Sequence, residues 1–242
     1  MSTPVPGLGA VVLCGGESSR MGRSKAWLPF GGEPLLARVV ARVAHAAAPV
    51  VVVAAPDQDL PPLPEGVLVV RDAQSGRGPL QGLLAGLAAL SSLGALSSSA
   101  ASAASAASAA SAASAASAPL VSAAFVASTD APFVHPDLAR RLETLRREGD
   151  HDACVPRAQG HVHPLAAVYR TSAREAVARL LDADQRRTML LLDQLDTRVV
   201  DEAELLRDPR LRASDPTLLS LRNINSPEDY RLALEQLAAL SG

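Results

Sequence analysis

The chain of 242 residues holds only two cysteines, Cys14 and Cys154, which lie far apart and in no C-x-x-C pair. That excludes a disulfide framework and a cysteine-based zinc site. Aromatic residues make up 2% of the sequence, too few for a platform on which bases could stack. Charge is nearly balanced, with a net −2, so there is no electrostatic case for wrapping nucleic acid. No strongly apolar run reaches the roughly 18 residues of a membrane span. The start, Met1–Gly9, lacks a basic region, and the apolar Ala10–Leu13 is too short for a signal sequence. The expectation is a soluble, cytoplasmic protein with neither a membrane nor a nucleic-acid partner. Lysine too is scarce. Lys25 stands alone beside 22 arginines. A single lysine in an arginine-rich chain marks a place where a compact, flexible charge is needed and a wide planar fork does not fit.

Hydrophobic residues account for 48% of the sequence, enough for one sizeable core or two small ones. Short apolar runs alternate with amphipathic segments. Gly9–Cys14 reads as a buried strand, Pro49–Ala55, Val67–Arg71 and Val121–Ser128 as a second, third and fourth strand, and Asp152–Pro156 and Leu165–Arg170 as further ones. Leu35, Leu36, Val39, Val40 and Val43 mark one helical face, with Pro34 in its first turn. Leu80–Leu90, Pro136–Glu148, Ser172–Leu181 and Pro227–Leu240 also read as helices. Uninterrupted apolar strands between helices predict a largely parallel sheet covered on both faces, an α/β/α three-layer fold. Arg140, Arg141, Arg146 and Arg147 read as a solvated helix face. Ser97–Ser117 is a low-complexity Ser-Ala-Ala tract whose period of three matches neither a helix nor a strand face. Its alanines suit an exposed helix and its serines suit disorder. It reads as an insertion, spanning about residues 91–118, in one domain covering 1–242.

The richest segment is Val11–Pro29. Gly15 and Gly16 follow a strand and let main-chain N–H groups converge on one concavity, an anion nest. Arg20 and Lys25 add positive charge over the same space, and a polyphosphate is the natural occupant. The letters fit neither a Walker A loop nor G-x-G-x-x-G. Asp130 stands just beyond the carboxyl end of a buried strand, where open α/β sheets bind ligands. Next to a polyphosphate such a carboxylate suits Mg²⁺, and an Asx turn or helix cap is the alternative. Asp72 ends another strand and reads either as a nucleotide contact or as a surface turn. Gly78, Pro79 and Gly82 form a loop-to-helix entry. In His161-Val162-His163-Pro164 no third ligand stands at a known zinc spacing. Asn223 and Asn225 alternate on an extended piece and so share a face. Ser226–Asp229 reads as a helix cap with acids in the first turn. Cys14 reads as a small buried residue.

The run Leu13–Leu36, LCGGESSRMGRSKAWLPFGGEPLL, resembles the LxGGxSxRMGxxKxLLPxxGxPLL signature of molybdenum cofactor nucleotidyltransferases. The resemblance continues through Arg71-Asp72, Gly78-Pro79-Leu80-Gln81-Gly82, Ser128-Thr129-Asp130-Ala131-Pro132, His163-Pro164-Leu165 and Asn223–Asp229. It covers nearly the whole chain apart from the Ala/Ser tract, and the later motifs are similar to the guanylyl branch. The resemblance implies a Rossmann-like nucleotidyltransferase fold and transfer of GMP from GTP to the terminal phosphate of molybdenum-molybdopterin. It implies Leu13, Cys14, Gly15, Gly16, Lys25, Asp72, Gly78 and Asp130 as nucleotide contacts, with Arg20, Lys25 and Asp130 as catalytic groups. Asp130 would hold Mg²⁺. His163, Asn223 and Asn225 would meet the second substrate. Arg186 and Arg187 read either as a bidentate grip on an anionic pterin phosphate of that substrate or as a solvated helix face. Transient contact with other molybdenum cofactor proteins is also implied.

A phosphate acceptor arrives as an anion, so no general base is needed, in keeping with the lack of a Ser/His/Asp or paired-carboxylate signature. Three functions fit these residues: the guanylyltransferase, a relative using CTP or a sugar-phosphate acceptor, and a non-catalytic nucleotide- or pterin-binding module. Base choice is the least marked feature, because Ala54, Ala55 and Pro56 at the end of the second strand carry no side-chain amide.

Overall fold

Strand β1 (Leu8–Leu13) shows how the apolar runs are used. Side chains alternate across a sheet, so Ala10 and Val12 enter one core while Val11 and Leu13 enter the other. The computed structural model describes residues 3–14, 24–72, 78–105 and 120–241. After β1 come the short strands β2 (Pro29–Phe30) and β3 (Glu33–Pro34), helix α1 (Leu35–Ala44), β4 (Val50–Ala54) and β5 (Leu68–Arg71). Next are α2 (Pro79–Ser105), β6 (Ala123–Ser128), α3 (Pro136–Glu148), β7 (Ala153–Ala158), β8 (His161–Val162) and β9 (Ala167–Arg170). The chain closes with α4 (Arg174–Asp182), α5 (Thr188–Asp193), β10 (Thr197–Val200), α6 (Glu202–Leu205), α7 (Pro209–Ser214) and α8 (Pro227–Ser241).

The main sheet runs in the order β5-β4-β1-β6-β9-β7-β10, with β8 paired to β7. Within that order β9 alone is antiparallel to its neighbours. The mostly parallel three-layer fold expected from the sequence is therefore present. β1 lies between β4 and β6, so the chain leaves it in both directions across the sheet. Such a switch point opens a crevice at the carboxyl ends of the strands, here those of β1 and β6.

On one face α1 buries Leu36, Val39, Val40 and Val43 against Val12, Val52 and Phe125. These are the stripe residues of the sequence, and burying each contributes about 1.5–3 kcal/mol. Pro34 is the N-cap, with extended ψ 140°, rather than a first-turn residue. On the other face Leu80, Leu83, Leu87 and Leu90 of α2 cover Val11, Leu13 and Val53. Glycine lets this helix come close. A Cβ at Gly86 would lie 2.4 Å from Val11 Cγ1, and one at Gly82 would lie 3.1 Å from Leu13 Cδ2. Gly82 thus serves helix-on-strand packing, whatever the loop before it does. α2 also runs on into the Ala/Ser tract as far as Ser105, where alanine favours helix. Residues 106–119 lie outside the described residues.

One sequence expectation for α3 is corrected. Arg146 is buried rather than solvated, and so is its partner Glu143. Arg146 Nε and Nη2 donate to Glu143 at 2.7 and 3.0 Å, and Arg147 Nε adds a 2.5 Å bond. Charges spaced i, i+3 and i, i+4 look like a solvated stripe in a sequence; here the chain covers them. Glu143→Ala would leave Arg146 buried without its partner. Chemical denaturation is expected to show a loss of about 3–5 kcal/mol. The cysteines are free and buried, and burial pushes the Cys154 thiol up to about 12.

Candidate active site

Lys25 opens a single 3₁₀ turn, Lys25–Trp27. Ala26 and Leu28 are buried beside it, which fixes the turn and leaves the lysine side chain directed to the crevice. Thr129 fastens the end of β6 to the end of β1: its N–H and its hydroxyl both donate to Leu13 O, at 3.0 and 3.1 Å. Asp130 follows immediately. Lys25 Nζ lies 3.9 Å from Asp130 Oδ2 and donates to Ile224 O at 2.7 Å. Ile224 N–H donates in turn to Asp130 O at 2.8 Å. The lone lysine, the strand-end carboxylate and the Asn223–Asn225 segment therefore meet at the β1/β6 crevice.

Asp130 has two different oxygens. Oδ2 faces the ammonium group. Oδ1 is buried and meets no donor among the described residues. A buried carboxylate oxygen without a donor is costly unless something electropositive sits against it. Hard divalent cations take such oxygens. Among the described residues no group of three His, Cys, Asp or Glu side chains could hold an ion unaided. An ion on Asp130 Oδ1 would therefore draw further ligands from phosphate oxygens and water, as Mg²⁺ does.

The other predicted residues line the same end of the sheet. Leu13 lends its carbonyl to Thr129, and Cys14 N–H donates to Val53 O at 2.8 Å. Cys14 is buried, and that burial pushes its thiol up against the opposing contacts of Thr129 and Gln58. Asp72 is half-buried just past β5, its N–H on Ala54 O at 2.8 Å. It stands two strands from β1, about 10 Å of sheet width. Gly78 has φ +78°, a left-handed conformation that only glycine adopts without cost, and turns the chain into α2 beside Arg186 O. His163 sits in the connection between β8 and β9, its N–H on Pro156 O at 2.9 Å and its Nε2 3.4 Å from Ala158 O. Burial holds its imidazole below the ordinary range. Arg187 is the exposed N-cap residue just before α5, while Arg186 pairs with Asp184. Asn223 and Asn225 are both exposed on either side of buried Ile224, the shared face that their spacing predicted. Ser226 and Asp229 cap α8 reciprocally, at 3.1 and 2.9 Å. Gly15, Gly16 and Arg20 lie outside the described residues.

Sequence reasoning missed four contributors. Ile224 acts through its backbone, which no side-chain pattern reveals. Arg38 and Arg42 of α1 donate to Pro132 O and Val134 O at 3.3 and 3.4 Å, tethering the loop that carries Asp130. Gln58 brings an amide to the end of β4, where Ala54, Ala55 and Pro56 have none. The chain turns back after Pro56, so that Gln58 Nε2 donates to Cys14 Sγ at 3.3 Å and its Oε1 accepts from Ala55 N–H at 3.2 Å.

The MobA-like NTP transferase domain matches residues 10–199. The chain belongs to the MobA-like NTP transferase family. It is 36% identical over 191 residues to a probable molybdenum cofactor guanylyltransferase of Mycobacterium tuberculosis H37Rv, covering 78% of this chain and 81% of that one. A protein of the same description from Mycobacterium avium is 32% identical over 234 residues, 96% of this chain and 97% of that one. The crystal structure of molybdopterin-guanine dinucleotide biosynthesis protein A from Archaeoglobus fulgidus superposes with a TM-score of 0.68 at 21% identity, covering 96% of this chain and 99% of that one. This MobA-like chain is accordingly an enzyme that transfers nucleotides, and the non-catalytic reading is set aside. Its site also draws on Ile224, beyond the 10–199 domain. Among its described residues no helix is long and apolar enough to cross a membrane.

Proposed function

We propose that the chain transfers GMP from GTP to the terminal phosphate of molybdenum-molybdopterin, releasing pyrophosphate, and that it does so as one domain over 1–242 with the Ala/Ser tract as an insertion. The observation that carries this reading is the pairing of Lys25 Nζ with Asp130 Oδ2 at 3.9 Å across the β1/β6 crevice. The curated relatives, described as guanylyltransferases, support the choice of substrates.

Both reactants are anions, so the enzyme's task is to bring like charges together and stabilise the group that departs. Lys25, with Arg20 and the Gly15–Gly16 backbone, holds the triphosphate. Asp130 would hold Mg²⁺ through Oδ1, the oxygen that meets no donor among the described residues. When bound, that ion would neutralise phosphate charge and polarise the α-phosphoryl group. An oxygen of the acceptor phosphate forms a bond to the α-phosphorus. The bond to the β-phosphate bridging oxygen breaks, and pyrophosphate carries away the electron pair. No proton moves to a protein base. Asn223, Asn225, His163 and Arg187 bind the pterin side: amides supply donor and acceptor together, and a guanidinium grips phosphate in bidentate fashion. Leu13, Cys14, Asp72 and Gly78 line the nucleotide side. Beyond its bonds to Cys14 Sγ and Ala55 N–H, the Gln58 amide has one further N–H and one further lone pair to offer a guanine edge there.

Pyrophosphate release measured with GTP or CTP, with and without molybdopterin and Mg²⁺, tests the reading. Release that needs GTP, molybdopterin and Mg²⁺ together is the expected result. Release with CTP in place of GTP, or with a sugar phosphate as the acceptor, would overturn it.

A further inference from the structure

Asp215 is almost fully buried and belongs to no motif discussed so far. Three donors converge on its carboxylate. Oδ1 accepts from Leu219 N–H at 2.7 Å, and Oδ2 accepts from Ser220 N–H at 3.0 Å and Ser220 Oγ at 2.5 Å. These bonds close a loop in which Leu218 adopts a left-handed conformation, φ +52°, at a cost that they offset. Two arms lead from this knot to the crevice. In one, Ser220 Oγ accepts from His135 N–H at 2.9 Å and so secures the far end of the loop that begins at Asp130. In the other, the turn Leu219–Leu221 delivers Arg222–Asn225, where Ile224 N–H and C=O engage Asp130 O and Lys25 Nζ. The apolar cluster of Leu28, Phe30, Phe133 and Ile224 ties the same three segments together from below. Phe30 and Phe133 meet edge-on there, with centroids 5.5 Å apart.

We propose that Asp215, acting through Ser220, is a positioning residue that sets the placement of Lys25 against Asp130. The proposal rests on the nucleotidyl-transfer reading for its kinetic consequence, not for its geometric one. An amide cannot replace this carboxylate, because one half of it would present N–H groups to N–H donors. Both arms are needed, since the lysine is held from Ile224 and the carboxylate from the 130–135 loop.

The solitary lysine supplies a direct readout. Acylation of Lys25 by an amine-selective ester, followed by mass spectrometry of its peptide, reports how firmly the ammonium group is held, and no substrate is required. In Ser220→Ala the rate is expected to rise about two- to ten-fold, the range set by losing one buried hydrogen bond. Asp215→Asn is expected to raise it further. In the same variants kcat for pyrophosphate release should fall about ten-fold while the nucleotide KM stays within about two-fold, as expected when alignment is lost but binding remains. Leu142→Ala, a core change in α3 that also lowers the melting temperature, should alter neither readout beyond about two-fold. Should Asp215→Asn fail to fold, Ser220→Ala decides alone. An unchanged acylation rate in folded Ser220→Ala would overturn the proposal. A wild-type protein that releases no pyrophosphate would overturn the transfer reading, yet the acylation rates would still decide the positioning role.

Discussion

Asp130→Ala is expected to lose at least about a hundred-fold in kcat while the protein stays as stable as before, or gains slightly. The loss follows from removing the group that faces developing phosphate charge, an effect of about 3–4 kcal/mol at preorganised electrostatic sites. The stability follows from the two oxygens. Oδ1 is buried and has no donor among the described residues, so the unliganded fold carries its desolvation without return. Oδ2 faces Lys25 at 3.9 Å, and both side chains are about one-fifth exposed, so that ion pair contributes little. Deleting a residue that the fold tolerates but does not need separates function from structure. Steady-state pyrophosphate release and thermal melting without divalent ions check both halves. Wild-type turnover would remove Asp130 from the mechanism, and a melting point lower by many degrees would make it a structural residue.

Lys25→Arg is expected to be nearly as damaging as Lys25→Ala, each losing about a hundred-fold or more in kcat. Charge is kept in the arginine variant, so the argument is one of shape. The ammonium group sits in a slot between Ile224 O at 2.7 Å and Asp130 Oδ2 at 3.9 Å. A planar fork with five fixed donors does not occupy the space of a point charge on a flexible stem. Elsewhere in the chain the long cationic side chain is always arginine. Circular dichroism should show both variants folded. Melting should shift by a few degrees, from the loss of one hydrogen bond to a charged group, about 1.5–3 kcal/mol in part-buried settings. An arginine variant with full turnover would mean that charge alone suffices at this position.

Much of this architecture was legible because its signals are local. Val11-Val12-Leu13, Val51-Val52-Val53 and Phe125-Val126 are apolar on both faces, which identifies strands sandwiched between helices. Pro136–Glu148 appears with the boundaries its periodicity predicted. Lys25 and Asp130 were found because one residue type is unique and the other stands at a strand end. What escaped was made by return of the chain rather than by pattern. β10 (Thr197–Val200) is short, polar at its start and lies at the sheet edge, so it carries no alternation worth reading. Gln58 acquires meaning only because the chain doubles back after Pro56. Ile224 contributes a carbonyl, which every residue has, across 199 positions of sequence. Arg146 and Glu143 have the spacing of a solvated ion pair and are buried because other parts of the chain cover them.

Manganese can stand in for magnesium at oxygen-rich sites and is visible by anomalous scattering. Crystals grown with Mn²⁺ and a non-hydrolysable GTP analogue should show the anomalous peak at about 2.0–2.3 Å from Asp130 Oδ1, with the triphosphate within hydrogen-bond reach of Lys25 Nζ. A metal and nucleotide bound away from the β1/β6 crevice, leaving Asp130 Oδ1 without a partner, would contradict the account.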